Sequence, residues 1–75
     1  MKFIKNEKTG EIFPANRLVS VRPIRSGVSV IQITEPELGR NAVFYINKEA
    51  TAIIKELFED DSFKIITYKM SNNDF

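Results

Sequence analysis

The pattern of apolar and polar positions contains one helical segment, between residues 47 and 58. The apolar residues recur three and four positions apart, which places them on one stripe of a helix; they are Ala50, Ile53, Ile54, Leu57 and Phe58. Asn47 is suited to cap this helix because its side-chain oxygen can accept a hydrogen bond from a free N–H of the first turn. We predict one helix of about three turns that ends by about Asp60 and needs a sheet to cover its stripe.

Two β-hairpins are predicted before the helix. The first runs from about Phe3 to Phe13 and closes at Pro14, which has no N–H and therefore suits a strand end. The second joins residues 17–25 to residues 28–34 and is rich in β-branched residues, with Ser26-Gly27 as its two-residue turn. A two-residue turn predicts that Arg25 pairs with Val28 and Arg22 with Ile31.

In this register neither face of the second hairpin is wholly polar, so both faces should be partly covered. The helix would cover one face. Two alternatives remain for the other: the sheet curls into a half-barrel that covers it, or a second copy of the protein does.

The rest of the chain predicts a loop at 35–41, a strand at 42–46, a last strand at 63–70 and a frayed tail at 71–75. The expected fold is α+β in a single domain, 1–75. An antiparallel sheet of four to six strands packs on one helix in the C-terminal half, and a last strand follows that helix.

The composition favours an oligomer in the cytoplasm. A chain of 75 residues has a marginal core, and without Cys or His it cannot be stabilised by disulfides or by the usual transition-metal ligands. We therefore expect a homodimer. The first residues, Met-Lys-Phe-Ile-Lys, do not resemble a signal peptide, and no apolar run approaches the ~20 residues of a membrane span.

Enzymatic activity is not expected, because the chain offers no thiolate nucleophile and no imidazole base. The densest acidic cluster, residues 59–61, is interpreted as a solvated helix end. The chain has no His or Cys for a transition metal and no glycine pattern for binding phosphate, so we expect no metal and no cofactor.

Two binding functions remain open. Eight aromatic residues, six Phe and two Tyr, together with a two-sided apolar hairpin favour a protein-interaction module that acts as a homo-oligomer. The alternative is single-stranded nucleic-acid binding, with arginines that follow phosphates and aromatic rings that stack on bases. Tyr45 and Tyr68 are also the expected exposed aromatics for a protein partner. The candidate binding residues are Arg17, Arg22, Arg25, Arg40, Tyr45 and Tyr68.

In composition the chain resembles the small early proteins of T-even-type bacteriophages. It opens with Met-Lys-Phe-Ile-Lys, lacks Cys, and contains ten Ile, seven Lys, six Asn and six Phe. The resemblance covers the whole chain and involves no functional motif, so it assigns no residue a role. It implies an accessory protein of host takeover that binds a host protein or nucleic acid in the host cytoplasm.

Overall fold

The computed structural model describes all 75 residues and has an α+β architecture. One helix lies in the C-terminal half and strands follow it, so the predicted fold class is confirmed. Short 3-10 turns occupy Ala15–Arg17 and Pro36–Leu38. The main elements are β1 (Lys2–Asn6), β2 (Ile12–Pro14), β3 (Leu18–Arg25), β4 (Val28–Glu35), β5 (Arg40–Ile46), α1 (Ala50–Phe58), β6 (Lys64–Tyr68) and β7 (Met70–Ser71).

The strands form two sheets rather than one. The three-stranded sheet has the order β2-β1-β6 and the four-stranded sheet the order β3-β4-β5-β7. All pairings are antiparallel except β1 with β6, which is parallel, whereas we expected only antiparallel strands. The parallel pairing arises because α1 carries the chain from the end of β5 to the start of β1, where β6 begins.

The core lies between the two sheets and the helix. Alternate residues of each strand point into it, as expected for sheets with one buried face. The cluster has twelve buried members: Ile4, Phe13, Ala15, Ile31, Ile33, Phe44, Ile46, Ile53, Leu57, Ile66, Tyr68 and Met70.

No helix has the length and apolar composition needed to cross a membrane.

The helix is shorter and buries a narrower stripe than predicted. It begins at Ala50 with Glu49 at its N-cap, so the prediction that Asn47 caps it is wrong. The Glu49 carboxylate instead accepts a hydrogen bond from the backbone N–H of Gly27, which ties residues before the helix to the β3–β4 turn. Within the predicted stripe Ile54 and Phe58 are exposed, because the helix contacts the sheets along one side only.

The second hairpin forms over the predicted residues, but its register differs. Arg25 pairs with Val28 as predicted, and Gly27 adopts a positive φ of 77° in the turn. Register shifts at Val19 and Ile24 each add one residue to β3, so Arg22 pairs with Val30 rather than with Ile31. A shift of one residue moves side chains to the other face, and Arg22 therefore lies on the outer face of the sheet, away from the core.

Strand β4 is buried on both faces, as the pattern indicated. Ile31 and Ile33 point into the core, while Val28 and Val30 are buried outside the core cluster. The outer face is shielded by neighbouring side chains and by the C-terminal segment, which pairs with β5 through β7 and then reaches β3. The chain forms two sheets rather than one sheet curled into a half-barrel. That a second copy covers the other face of the hairpin, and that the tail at 71–75 is frayed, stay predictions.

Candidate binding surfaces

Three of the six candidate residues share the outer face of the four-stranded sheet. Arg22, Val30 and Tyr45 are cross-strand neighbours in one row, so their side chains point to the same face. Arg25 lies on this face too, because it pairs with Val28, two residues from Val30. Without the register shift at Ile24 the two arginines would lie on opposite faces, so this grouping follows from the irregularity that the sequence pattern did not reveal.

Most of the candidate arginines are paired with carboxylates of the same chain. Arg25 forms a bidentate pair with Asp74, at 2.7 and 2.8 Å, and also donates to the carbonyl of Phe75. The hydrogen bonds from Arg25 lower the pKa of Asp74 below its usual value. The remaining pairs are Arg40 Nε to Glu35 at 3.2 Å and Arg17 to Glu37 at 3.7 Å.

Arg22 is the exception, since no ion pair or side-chain hydrogen bond engages its guanidinium. Arg17 and Arg40 lie at the ends of the sheet, outside the row that contains Arg22 and Tyr45. The structure therefore brings Arg22, Arg25 and Tyr45 together and leaves Arg17 and Arg40 apart.

Tyr68 is a core residue, so the expectation of an exposed ring there is wrong. The residue is 4% exposed, and its hydroxyl donates to Glu56 Oε1 over 2.9 Å. Lys48 also donates to Glu56, and its ammonium lies 5.4 Å from the centroid of the Tyr68 ring. Burial, with the nearby Glu56 carboxylate, raises the pKa of Tyr68 well above its usual value. Burial alone would raise the pKa of Glu56, but the hydrogen bonds from Lys48 and Tyr68 outweigh it and lower that pKa.

Sequence reasoning missed a buried lysine at the start of β1. Lys2 is 5% exposed, and its ammonium donates to Asp60 Oδ1 over 2.6 Å, to the Asp60 carbonyl and to both oxygens of Ser62. These bonds hold the pKa of Asp60 far below its usual range. The alternation that puts Lys2 on the same face as Ile4 was the available indication. One carboxylate of the acidic cluster 59–61 thus anchors the end of the helix to the three-stranded sheet.

The three-stranded sheet has a largely apolar outer face. Pro14, Phe3 and Ile65 are neighbours in one row across β2, β1 and β6. Phe63 lies beside this row, with its ring centroid 5.7 Å from that of Phe3, and is 72% exposed. Ile12 extends the surface along β2 and is 47% exposed. We call these five residues the apolar outer face.

Concave sites are few and shallow. Two adjoining pockets of about 240 and 380 Å³ share Glu7 and Lys69, and both are lined mainly by polar side chains. No group of three or more His, Cys, Asp or Glu residues is placed to hold a metal ion. The outer faces of the two sheets are therefore the candidate binding surfaces.

Comparisons with protein-family models, with curated proteins and with solved structures found no match to this chain.

Proposed function

We propose that this protein is a non-catalytic interaction module that acts as a homo-oligomer, and that the apolar outer face is its association surface. One observation carries the proposal: a row of apolar side chains, flanked by the exposed ring of Phe63, lies on the solvent side of the three-stranded sheet, beside a second row of Ile12, Lys5 and Thr67. Sheets with one solvated face usually place polar residues there, and contiguous exposed apolar surface commonly marks a site of association.

The small core supports self-association. Only 17 of the 75 residues are buried, and a chain of this size covers a limited share of its apolar surface by itself. Burying the apolar outer face against a second copy would add to the hydrophobic stabilisation without a disulfide or a metal ion.

The resemblance in composition to small early phage proteins supports a more specific role. We infer that the oligomer acts in the cytoplasm of a bacterial host as an accessory protein that binds a host component. Binding without chemistry fits a chain that has no Cys and no His.

Light scattering over a series of protein concentrations tests the oligomer. We expect a mass above that of the monomer at low micromolar concentration, and Phe63→Lys should raise the dissociation constant at least about tenfold, because it replaces buried apolar area with a charge. Val43→Lys is the matched control, since Val43 is 41% exposed on the outer face of the four-stranded sheet. A stable monomer, or equal effects of the two variants, would contradict the proposal.

A second candidate function is single-stranded nucleic-acid binding by the outer face of the four-stranded sheet. The observation in its favour is that Arg22, Arg25 and Tyr45 lie on that face in adjacent rows. The pair between Arg25 and Asp74 opposes it, because it neutralises one of the two cations.

Fluorescence anisotropy of labelled single-stranded RNA and DNA tests this candidate at low and high salt. If it is correct, Arg22→Ala weakens binding and reduces the salt slope by about 1. Asp74→Asn strengthens binding because it frees Arg25. The matched control is Arg17→Ala, outside the row. Absence of binding at low salt, where electrostatic attraction is strongest, would remove this candidate.

A further inference from the structure

Two sheets leave four edge strands, three of which are protected, and an unpaired stretch of β5, because β7 pairs only with Tyr45 and Ile46. That stretch, 40–44, begins with a charged arginine, and Asn72 Nδ2 donates to the carbonyl of Val43 within it. Strand β2 has three residues and contains Pro14. Strand β3 contains Pro23 and two register shifts, and β7 has only two residues. Short strands, proline and bulges are the devices by which proteins prevent edge-to-edge pairing. Strand β6 has none of these three, because it is five residues long, regular, and free of proline; its one protective feature is the charge of Lys64 at its first position.

The hydrogen bonds at the two ends of the β1–β6 ladder fix which backbone groups are free. Lys64 donates its N–H to the carbonyl of Met1, and Tyr68 accepts at its carbonyl from the N–H of Glu7. In a parallel ladder every second residue bonds to the partner strand, so Lys64, Ile66 and Tyr68 face β1. Ile65 and Thr67 therefore direct their N–H and C=O groups to the open side of β6.

We propose that β6 pairs antiparallel with β6 of a second copy, about a two-fold axis at Ile66. This inference rests on the proposed homo-oligomer and specifies how the second copy binds: the copies pair edge to edge, and their apolar outer faces lie side by side rather than against each other. Ile65 of each chain lies opposite Thr67 of the other, and each such pair exchanges two backbone hydrogen bonds. The result is a six-stranded sheet on which the two apolar outer faces are continuous.

The cross-strand neighbours in this register are compatible. Ile66 meets its own copy across the axis, and the β-branched pair of Ile65 and Thr67 meets on the outer face. Lys64 lies opposite Tyr68 and Phe63 opposite Lys69, so no like charges face each other directly. The exposed ring of Phe63 opposite Lys69 permits a cation–π contact.

The arrangement of the edge strands favours a second copy of this chain as the partner that pairs with β6. Head-to-tail addition of copies would need a second open edge on each chain, and the unpaired stretch of β5 is shortened by β7 and occupied at the Val43 carbonyl by Asn72. Pairing of β6 with itself uses the same edge of both chains, so it leaves no β6 edge for a third copy. The product is a closed dimer rather than a filament.

Disulfide cross-linking tests the register, since the chain contains no Cys. Residues directly opposite in a hydrogen-bonded pair have Cα atoms about 5.5 Å apart, within the range for a disulfide. Residues 67 and 67 of the two chains would lie on a diagonal of roughly 9 Å, beyond that range. Under mild oxidation we expect a mixture of Ile65→Cys and Thr67→Cys variants to yield the mixed covalent dimer, while neither variant alone cross-links.

A second variant tests the edge without a cross-link. Thr67→Pro removes an N–H that points away from β1, so the intrachain ladder keeps its bonds, and the dissociation constant should rise about tenfold through the two hydrogen bonds lost per dimer. Thr67→Val keeps the N–H and the branched shape and should leave dimerisation unchanged.

The outcomes separate this inference from the proposed function. Cross-linking of Ile65→Cys alone would place the axis at Ile65 and overturn the register. A dimer that Phe63→Lys weakens, but that neither cross-links nor responds to Thr67→Pro, would overturn edge pairing and leave the apolar outer face as the association surface. A stable monomer of the natural chain would remove both.

Discussion

The two sheets share one core but differ in the residues on their outer faces and in their edge strands. The four-stranded sheet carries two arginines on its outer face, of which Arg25 pairs with Asp74. Its edge strands are β3, which contains Pro23 and two register shifts, and β7, which has two residues. The three-stranded sheet carries Phe3, Phe63 and Ile65 on its outer face and ends on one side in the regular strand β6.

This difference localises the capacity for association. The edges of the four-stranded sheet are short or irregular, whereas the three-stranded sheet is protected at β2 but not at β6. Exposed apolar side chains occur on both sheets, since Val19, Ile24 and Val43 of the four-stranded sheet are exposed as well. What distinguishes the three-stranded sheet is the row of adjacent apolar residues beside Phe63.

The largest expected effect is a loss of stability on mutation of the core that the two sheets share. Ile4 in the three-stranded sheet and Ile31 in the four-stranded sheet are both 0% exposed. Ile4→Ala and Ile31→Ala should each lower the free energy of unfolding by about 2–5 kcal/mol, through lost burial and the cavity left behind. Urea denaturation measures both. If Ile4→Ala costs less than about 1 kcal/mol, the three-stranded sheet is not an integral part of the core.

The second prediction compares the ion pair that ties each sheet to a later segment. Lys2, which is paired with Asp60, is 5% exposed, whereas the side chain of Arg25, which is paired with Asp74, is 46% exposed. A buried ammonium that loses its carboxylate is destabilising, while an exposed ion pair contributes little. Asp60→Asn should therefore lower the urea midpoint near neutral pH more than Asp74→Asn does.

Acid should weaken both pairs in the same direction. The pKa values of Asp60 and Asp74 are lowered in the folded protein, mainly by the hydrogen bonds from Lys2 and Arg25. A carboxylate with a lowered pKa stabilises the fold above its unfolded pKa of about 3.9, and this contribution is lost as the pH falls further. The loss should be smaller in Asp60→Asn than in the natural chain. An equal acid response in both would show that Asp60 is not the group responsible.

Periodicity and turn chemistry predicted both hairpins and the helix, but the last strand, predicted as one piece over 63–70, is divided between β6 in one sheet and β7 in the other. The Ser26-Gly27 turn, the hairpin that ends at Pro14 and the helix before the last strand all depend on local residue preferences, and each forms where the pattern indicated. The parallel pairing of β6 with β1 depends on how α1 crosses the molecule, which no local pattern encodes.

The candidate residues show the same limit. Arg22 and Arg25 share a face because of the register shift at Ile24, since a shift of one residue moves a side chain to the other face. The burial of Tyr68 depends on its partner Glu56, twelve positions away on the helix. The apolar outer face joins residues near both ends of the chain, so it cannot be predicted from the sequence without the strand pairing.

The smallest and most local prediction separates the two edges of β6 by amide hydrogen exchange. The amide of Ile66 points to β1 and should exchange slowly at every protein concentration. The amides of Ile65 and Thr67 point to the open edge, so they should exchange rapidly in dilute protein and become protected as the concentration rises and the dimer forms. This alternation along three consecutive residues distinguishes edge pairing from packing of the apolar outer faces, because face packing would leave both amides in fast exchange at all concentrations.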